Sequence, residues 1–346
     1  MRYPQFLKDK GTIGFVAPSF GCATEPYKSA FNNALDKFQK KGYNTLLGPN
    51  CYEMSGIGIS NTPKACGEEL NEYYVNDTSD VLISCGGGEL MCESISYVDF
   101  EAISGATPKW YMGYSDNTNF TFLLNTLCDT ASIYGPCVSF FGMEVWHKSI
   151  EDAFDILTGK KLVVHNYDLW EKESLKSEDN PLATYNTTEK TLIQNYIGKN
   201  LTNKVNMEGR FLGGCVDCLV NLTGTKYDKV SEFNKKYQSD GIIWFLECCD
   251  LNVMGIRRAM WHLEQAGWFE NVKGFVIGRP LTSIYQPELM GMDYIKATLD
   301  VIAKYNVPII MDANIGHLPP MMPIISGAYS KIVSDNNDII ISYELK

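Results

Sequence analysis

Basic side chains and histidine are both scarce in this chain. Lysine and arginine number 30 against 41 aspartates and glutamates, a formal net charge of −11, and there are only four histidines. That deficit of positive charge excludes nucleic-acid binding, because a phosphate backbone demands a basic face. Long apolar runs are missing too. None reaches the roughly 18 residues that cross a bilayer, so no membrane partner is expected. The opening segment Met1–Lys10 is short and charged, unlike a secretory leader, and the expectation is a cytoplasmic protein. Cys215-x-x-Cys218 has no second pair at zinc spacing and no histidine beside it, so no metal is expected. The eleven cysteines lie mostly in apolar segments and read as reduced, buried thiols. Gly86-Gly87-Gly88 lacks both the Gly-x-Gly-x-x-Gly spacing and the Lys-Ser/Thr of a P-loop, which makes it a weak nucleotide fingerprint. No internal repeat is present.

What remains is a chain built to fold. Its 346 residues are 45% hydrophobic, enough for sizeable cores, and the length suggests two domains. Through the first 140 or so residues, strand-like runs (Thr12–Ala17, Thr45–Gly48, Val81–Cys85, Trp110–Gly113, Ser132–Gly135) alternate with helix-like ones such as Tyr27–Lys41 and Pro63–Val75. Such alternation predicts a parallel, doubly wound α/β sheet, whose ligands bind at the carboxyl ends of the strands. We place this domain at 1–155. Residues 156–206 change character. Glu171–Pro181 is polar and rich in breakers, and the stretch reads as a linker plus surface loop, with Trp170 either a packing anchor or a substrate contact. The second compact region, 207–346, alternates further: a strand at Ile242–Leu246, a helix at Met254–Ala266, a strand at Val272–Gly278, a helix at Met292–Lys304 and a strand at Val307–Met311. Apolar runs either side of Asn336-Asn337 predict a terminal hairpin.

Three of these strands end near a reactive side chain. Trp110-Tyr111-Met112 runs into Gly113-Tyr114-Ser115-Asp116-Asn117-Thr118, a strand that breaks at a Gly-x-Ser and enters a helix. Such a turn holds a serine hydroxyl clear of the sheet beside the free N–H groups of a helix start. The second glycine of the usual elbow is replaced here by Asn117. Ile242–Leu246 ends on Glu247, and His317 follows Ile309-Ile310-Met311 in a loop bounded by Gly316 and Pro319. A serine needs a base, and the base needs a carboxylate to fix its tautomer, so Ser115, His317 and Glu247 make a complete set. The alternatives at this level are a structural pairing of Glu247 with Arg257 or Arg258, and packing or loop roles for His147, His165 and His262. Backbone N–H groups of the glycine turn at 86–88 and of Asp116 suit an oxyanion hole.

These motifs together resemble the LD-carboxypeptidase family of serine peptidases, which includes the microcin C self-immunity peptidases. The resemblance rests on Gly113–Thr118, the glycine turn, Gly213-Gly214, the strand ending in Glu247, and Gly316-His317, and extends from Gly11–Gly14 and Ala17-Pro18-Ser19 to the last strands. It implies a Rossmann-like N-terminal domain, a smaller mixed, β-rich C-terminal domain, a homodimer, and no metal or cofactor. It implies Ser115 as nucleophile, His317 as general base, Glu247 as its orienting acid, and Gly87 or Gly88 with Asp116 as oxyanion donors. The expected substrate is a small peptide cut at an L,D-bond near a terminal D-amino acid, or else a peptidyl- or aminoacyl-nucleotide. Murein-type members resemble Arg-Gly-Gly-Tyr-Gly at the turn where this chain has Gly86–Leu90, and carry a further acid where it has Cys248-Cys249-Asp250-Leu251. Both departures bring it closer to the immunity branch. Two rivals stay open from the residues: a non-catalytic doubly wound binding protein, and a cysteine hydrolase using Cys248 or Cys249.

Overall fold

Five short apolar strands, Thr12–Val16 (β1), Asn44–Leu47 (β2), Val81–Ser84 (β3), Trp110–Gly113 (β4) and Ser132–Tyr134 (β5), pair in the order 2-1-3-4-5. All four ladders are parallel. β3 and β4 are buried at every residue, which explains their unbroken apolar character. Tyr27–Lys40 (α1), Pro63–Val75 (α2), Met91–Ser94 (α3), Phe100–Gly105 (α4), Thr118–Thr126 (α5) and Lys148–Leu157 (α6) supply the crossovers and flanks. α1 buries Ala30, Phe31, Ala34 and Phe38, the face its spacing predicts, and Phe31 meets Phe15 of β1 edge-on at 5.4 Å. Each such aromatic contributes about 1.5–3 kcal/mol by leaving water. The winding reverses between β1 and β3, so the crevice at their carboxyl ends is where this fold takes ligands. The parallel, doubly wound α/β arrangement is the one the alternation predicts.

The computed structural model describes residues 1–346, and they form two units: Met1–Lys161 with Glu173–Asn186, and Leu162–Lys172 with Thr187–Lys346. The stretch 156–206 is therefore divided between them. It carries Val163–His165 (β6), Leu169–Glu171 (β7), Thr187–Lys190 (β8), Gln194–Ile197 (β9) and Asn200–Thr202 (β10). These strands are short and largely polar, so the hydrophobic pattern does not reveal them.

The second unit is built on a nine-stranded mixed sheet. Its centre is four parallel strands: Lys204–Cys215 (β11), Ile242–Glu247 (β12), Val272–Gly278 (β13), and, beyond the short pair Glu288–Leu289 (β14) and Met292–Asp293 (β15), Pro308–Ala313 (β16). They lie in the order 11-12-13-16. Ile324–Ser326 (β17) is followed by Tyr329–Asp335 (β18) and Asp338–Glu344 (β19), the terminal hairpin, closed by Asn336-Asn337 with Asn336 at φ 53°. Antiparallel β18, β19 and β6 extend one edge of the sheet and β9 and β10 the other. The helices of this unit are Val216–Leu222 (α7), Val230–Lys236 (α8), Val253–Gln265 (α9), Thr282–Tyr285 (α10) and Tyr294–Ile302 (α11). No helix of the chain is long and apolar enough to cross a membrane.

Candidate active site

In the first unit, β4 ends at Gly113, Tyr114 stays extended, and Ser115 turns into the left-handed region at φ 63°. A serine held there stores about 1–3 kcal/mol of strain, and such residues cluster at functional sites. The turn is fixed by Asn117. Its Nδ2 donates to the carbonyls of Gly86, 2.8 Å, and Tyr114, 3.0 Å, and its Oδ1 accepts from the Tyr111 hydroxyl. A side chain at Gly113 would stand 2.8 Å from the Asn117 amide carbon. The usual elbow leaves this space empty with a second glycine. Here an amide fills it and ties the elbow to the glycine turn. The Ser115 N–H donates to the Tyr134 hydroxyl oxygen at 3.2 Å.

The glycine turn faces the serine. A methyl group at Gly87 would lie 3.1 Å from Ser115 Oγ. No hydrogen bond within the chain uses the N–H of Gly87 or of Gly88, so both donors are available to a ligand. The Asp116 side chain has a structural task. Its Oδ2 accepts from the Ser19 hydroxyl at 2.6 Å and from the Met91 N–H at 2.9 Å, tying the carboxyl ends of β1, β3 and β4 together. A cavity of about 490 Å³ opens over Ser115, walled by Phe20, Tyr27, Met54, Ile59, Tyr114 and Phe140 with Gly86 and Gly87 at its floor. It belongs wholly to the first unit.

In the second unit, the ends of the four parallel strands gather the remaining chemistry. Glu247 closes β12 with 1% of its surface exposed. His317 follows β16, and its Nδ1–H donates to Glu247 Oε2 at 2.8 Å. The imidazole reaches across β13 because side chains are missing where they would block it. A side chain on Gly278 would meet Glu247 Cβ at 2.9 Å, and one on Gly316 would strike the Glu247 carboxylate. Gly316 also sits at φ 102°, where L-residues are strained. Gly316→Ala is therefore expected to cost about 2 kcal/mol or more of stability and to dislodge the acid–imidazole pair. Denaturant melts read with turnover check this; wild-type values in both would contradict it.

Burial opposes charge on His317, but the Glu247 carboxylate, with hydrogen bonds to Cys249 and Glu247, outweighs it and holds the imidazole well above its ordinary value. The loop after Glu247 is shaped by Asp217 of α7, whose carboxylate accepts from the N–H groups of Cys249 at 3.1 Å, Asp250 at 2.9 Å and Leu251 at 3.1 Å. Burial pushes the Cys248 thiol well up. It pushes the Cys249 thiol up too, partly offset by its hydrogen bond to His317. Neither shift favours the thiolate a cysteine nucleophile needs.

The structure thus joins Glu247 to His317 in one unit and places Ser115, Gly87, Gly88 and Asp116 together in the other. Arg257 pairs instead with Asp300 at 3.4 Å, so the Glu247–Arg257 alternative is not realised. His147 caps α6, accepting from Ser149 N–H at 3.1 Å, and His165 ends β6. His262, read as a packing or loop residue, faces solvent on α9, beside a Trp261 that is 58% exposed. Trp170 is half-buried: its Nε1–H donates to Lys190 O at 3.2 Å, and its ring lies 4.4 Å from the Arg279 guanidinium. The tasks of Asn117 and Asp217 in shaping these two loops, and the stacking of Arg279 on Trp170, are features that sequence reasoning missed. For Arg279 a signal existed, since a charged residue between Gly278 and Pro280 directly ends an apolar strand.

With this geometry in view, the similarities to known proteins become informative. Residues 13–135 match the LD-carboxypeptidase N-terminal domain and residues 208–332 the LD-carboxypeptidase C-terminal domain. An MccF-like protein from Bacillus anthracis str. Ames is similar in structure, with a TM-score of 0.79 at 21% identity over 99% of this chain and 100% of that one. The microcin C7 self-immunity protein MccF, solved with aspartyl sulfamoyl adenosine, gives 0.78 at 21% identity over 99% of both chains. An MccF-like protein from Streptococcus pneumoniae, solved with AMP, gives 0.77 at 21% identity over 96% of this chain and 98% of that one. At that identity the likeness is one of fold. No curated protein matches the chain.

Proposed function

Because the chain belongs to the LD-carboxypeptidase family, we propose that it is a serine hydrolase of amide bonds with Ser115 as nucleophile, His317 as general base and Glu247 as the acid that orients the base. The observation that carries this reading is the Glu247–His317 pair at 2.8 Å, with its carboxylate fully buried. A carboxylate on one imidazole nitrogen fixes the tautomer and leaves Nε2 to take a proton. The strained Ser115 supports it, since a hydroxyl raised out of a sheet by a left-handed turn is costly without a use.

In the proposed reaction Ser115 Oγ attacks the substrate carbonyl as its proton passes to His317 Nε2. The tetrahedral oxyanion is held by the N–H of Gly87 or Gly88 and that of Asp116, each such donor being worth ~10²–10³ in rate. Collapse breaks the C–N bond, and His317 returns the proton to the leaving amine. Water then attacks the acyl-enzyme, again deprotonated by His317, and frees Ser115. The Ser115 half and the Glu247–His317 half lie on different units, so the reaction requires the units to present them to one substrate.

The substrate proposed first is a peptide with an L,D-bond near a terminal D-amino acid carboxylate. The second is an aminoacyl- or peptidyl-nucleotide, favoured by the glycine turn Gly86–Leu90 and by Cys248–Leu251, and in keeping with the sulfamoyl adenosine and AMP ligands of the structural relatives. Mass spectrometry of the protein with a peptide ending in D-Ala and, separately, an aminoacyl-sulfamoyl adenosine tests both. Loss of D-Ala or release of the amino acid is expected. If both probes survive intact, the proposal fails.

A further inference from the structure

We propose that Arg279 is the receptor for an anionic group of the substrate, a carboxylate or a phosphate, beside the Glu247–His317 pair. That the anion belongs to a substrate rests on the hydrolase reading; the anion site stands on the surroundings of the guanidinium. Arg279 directly follows β13, which lies between β12, ending in Glu247, and β16, which precedes the His317 loop. It is 6% exposed, and its Nη1 is a buried donor with no partner. Its guanidinium makes one hydrogen bond, from Nη2 to the backbone carbonyl of Asp312 at 3.3 Å. The Asp312 carboxylate is spent elsewhere, accepting from the Tyr294 hydroxyl at 2.8 Å and from Gln194 Nε2 at 3.5 Å. That carboxylate still attracts the guanidinium through space, but it offers Nη1 no hydrogen bond, and a buried N–H left without a partner is a cost native chains nearly always avoid.

The surroundings hold the guanidinium in place. Trp170 stacks on it at 4.4 Å, fixing the plane of its fork. Trp170 is itself anchored to the His317 loop, because the N–H of the next residue, Glu171, donates to the Pro319 carbonyl at 2.7 Å. The result is a preorganised, flat donor within the same unit as the proposed base. Such a fork matches the paired oxygens of a carboxylate or phosphate, which a lysine does not. Peptide substrates would supply the anion as a terminal carboxylate, and nucleotide substrates as a phosphate.

The test is calorimetric binding to full-length Ser115→Ala protein, so that no probe is consumed, with and without Arg279→Gln. The probes are a dipeptide ending in a D-Ala carboxylate against its C-terminal amide, and AMP against adenosine. In at least one pair the anion is expected to bind about 10- to 100-fold more tightly than its neutral partner. Arg279→Gln should erase that preference and leave the neutral probe's affinity unchanged. The pair that shows the effect identifies the source of the anion. A preference that survives Arg279→Gln, or no preference in either pair, overturns the proposal. Should Arg279→Gln fail to fold, Arg279→Lys is read instead. It keeps the charge but not the fork or the stack, so a reduced preference is expected and an unchanged one is contrary. Fluorophosphonate labelling of wild-type Ser115, run in parallel, separates the two readings. Labelling without an Arg279-dependent preference removes only the anion site, and the preference without labelling removes only the hydrolase.

Discussion

Ser115→Ala is expected to lower turnover by about 10⁴-fold or more, the scale seen when a nucleophile is deleted, while the protein still folds. The reason for the second half lies in the elbow. Asn117 holds the turn through Gly86 and Tyr114, and Asp116 holds the neighbouring strand ends through Ser19 and Met91, so the hydroxyl is not what keeps the loop in place. Ser115→Gly sharpens the point. Glycine adopts φ 63° at no steric cost, so this variant should be as inactive as Ser115→Ala yet more stable than it by roughly 1 kcal/mol. Steady-state kinetics beside thermal melts read both effects. Substantial turnover in either variant would remove Ser115 as nucleophile.

His317→Ala is expected to have the second large effect, a loss approaching that of Ser115→Ala, and the pH profile carries the finer information. The base must be neutral to accept a proton. Glu247 holds the His317 imidazole well above its ordinary value of 6.5, so the neutral form that can accept a proton is reached only at higher pH than for a free imidazole. The expected kcat/KM therefore rises with pH through a midpoint above 6.5 and levels off on the alkaline side. Glu247→Gln removes the negative charge, so the midpoint falls. The plateau falls too, though by less than in His317→Ala, because the amide still orients the ring in part. A wild-type midpoint at or below 6.5, or a Glu247→Gln midpoint that does not move, would contradict the arrangement.

Much of this architecture is legible in the chain because parallel sheets write themselves plainly. Strands buried on both faces read as unbroken apolar runs, and a polar residue that ends such a run stands out. That rule finds Ser115, Glu247 and, one loop later, His317. Applied with equal strictness it would also have found Arg279, which ends Val272–Gly278 in the same way but looks like one more turn residue between glycine and proline. Other features stay hidden for definite reasons. β7 to β10 are short and mostly polar, and β9 joins the large sheet only through β16, far along the chain. Asn117 reads as a defect in a serine elbow until its amide is seen bridging two carbonyls. The exposure of Trp261 and His262 is invisible to spacing alone, because helical periodicity says which residues share a face and not which face is covered. The task of Asp217, three N–H groups on a loop more than thirty residues away, leaves no local trace.

The central claim is that a hydroxyl from one unit becomes a nucleophile through the imidazole–carboxylate pair of the other. Treatment with a fluorophosphonate followed by peptide mapping asks this directly, since the reagent labels only an activated serine. One adduct per chain on Ser115 is expected, formed far more slowly in His317→Ala. No adduct, an adduct on another residue, or a labelling rate indifferent to His317 would contradict it.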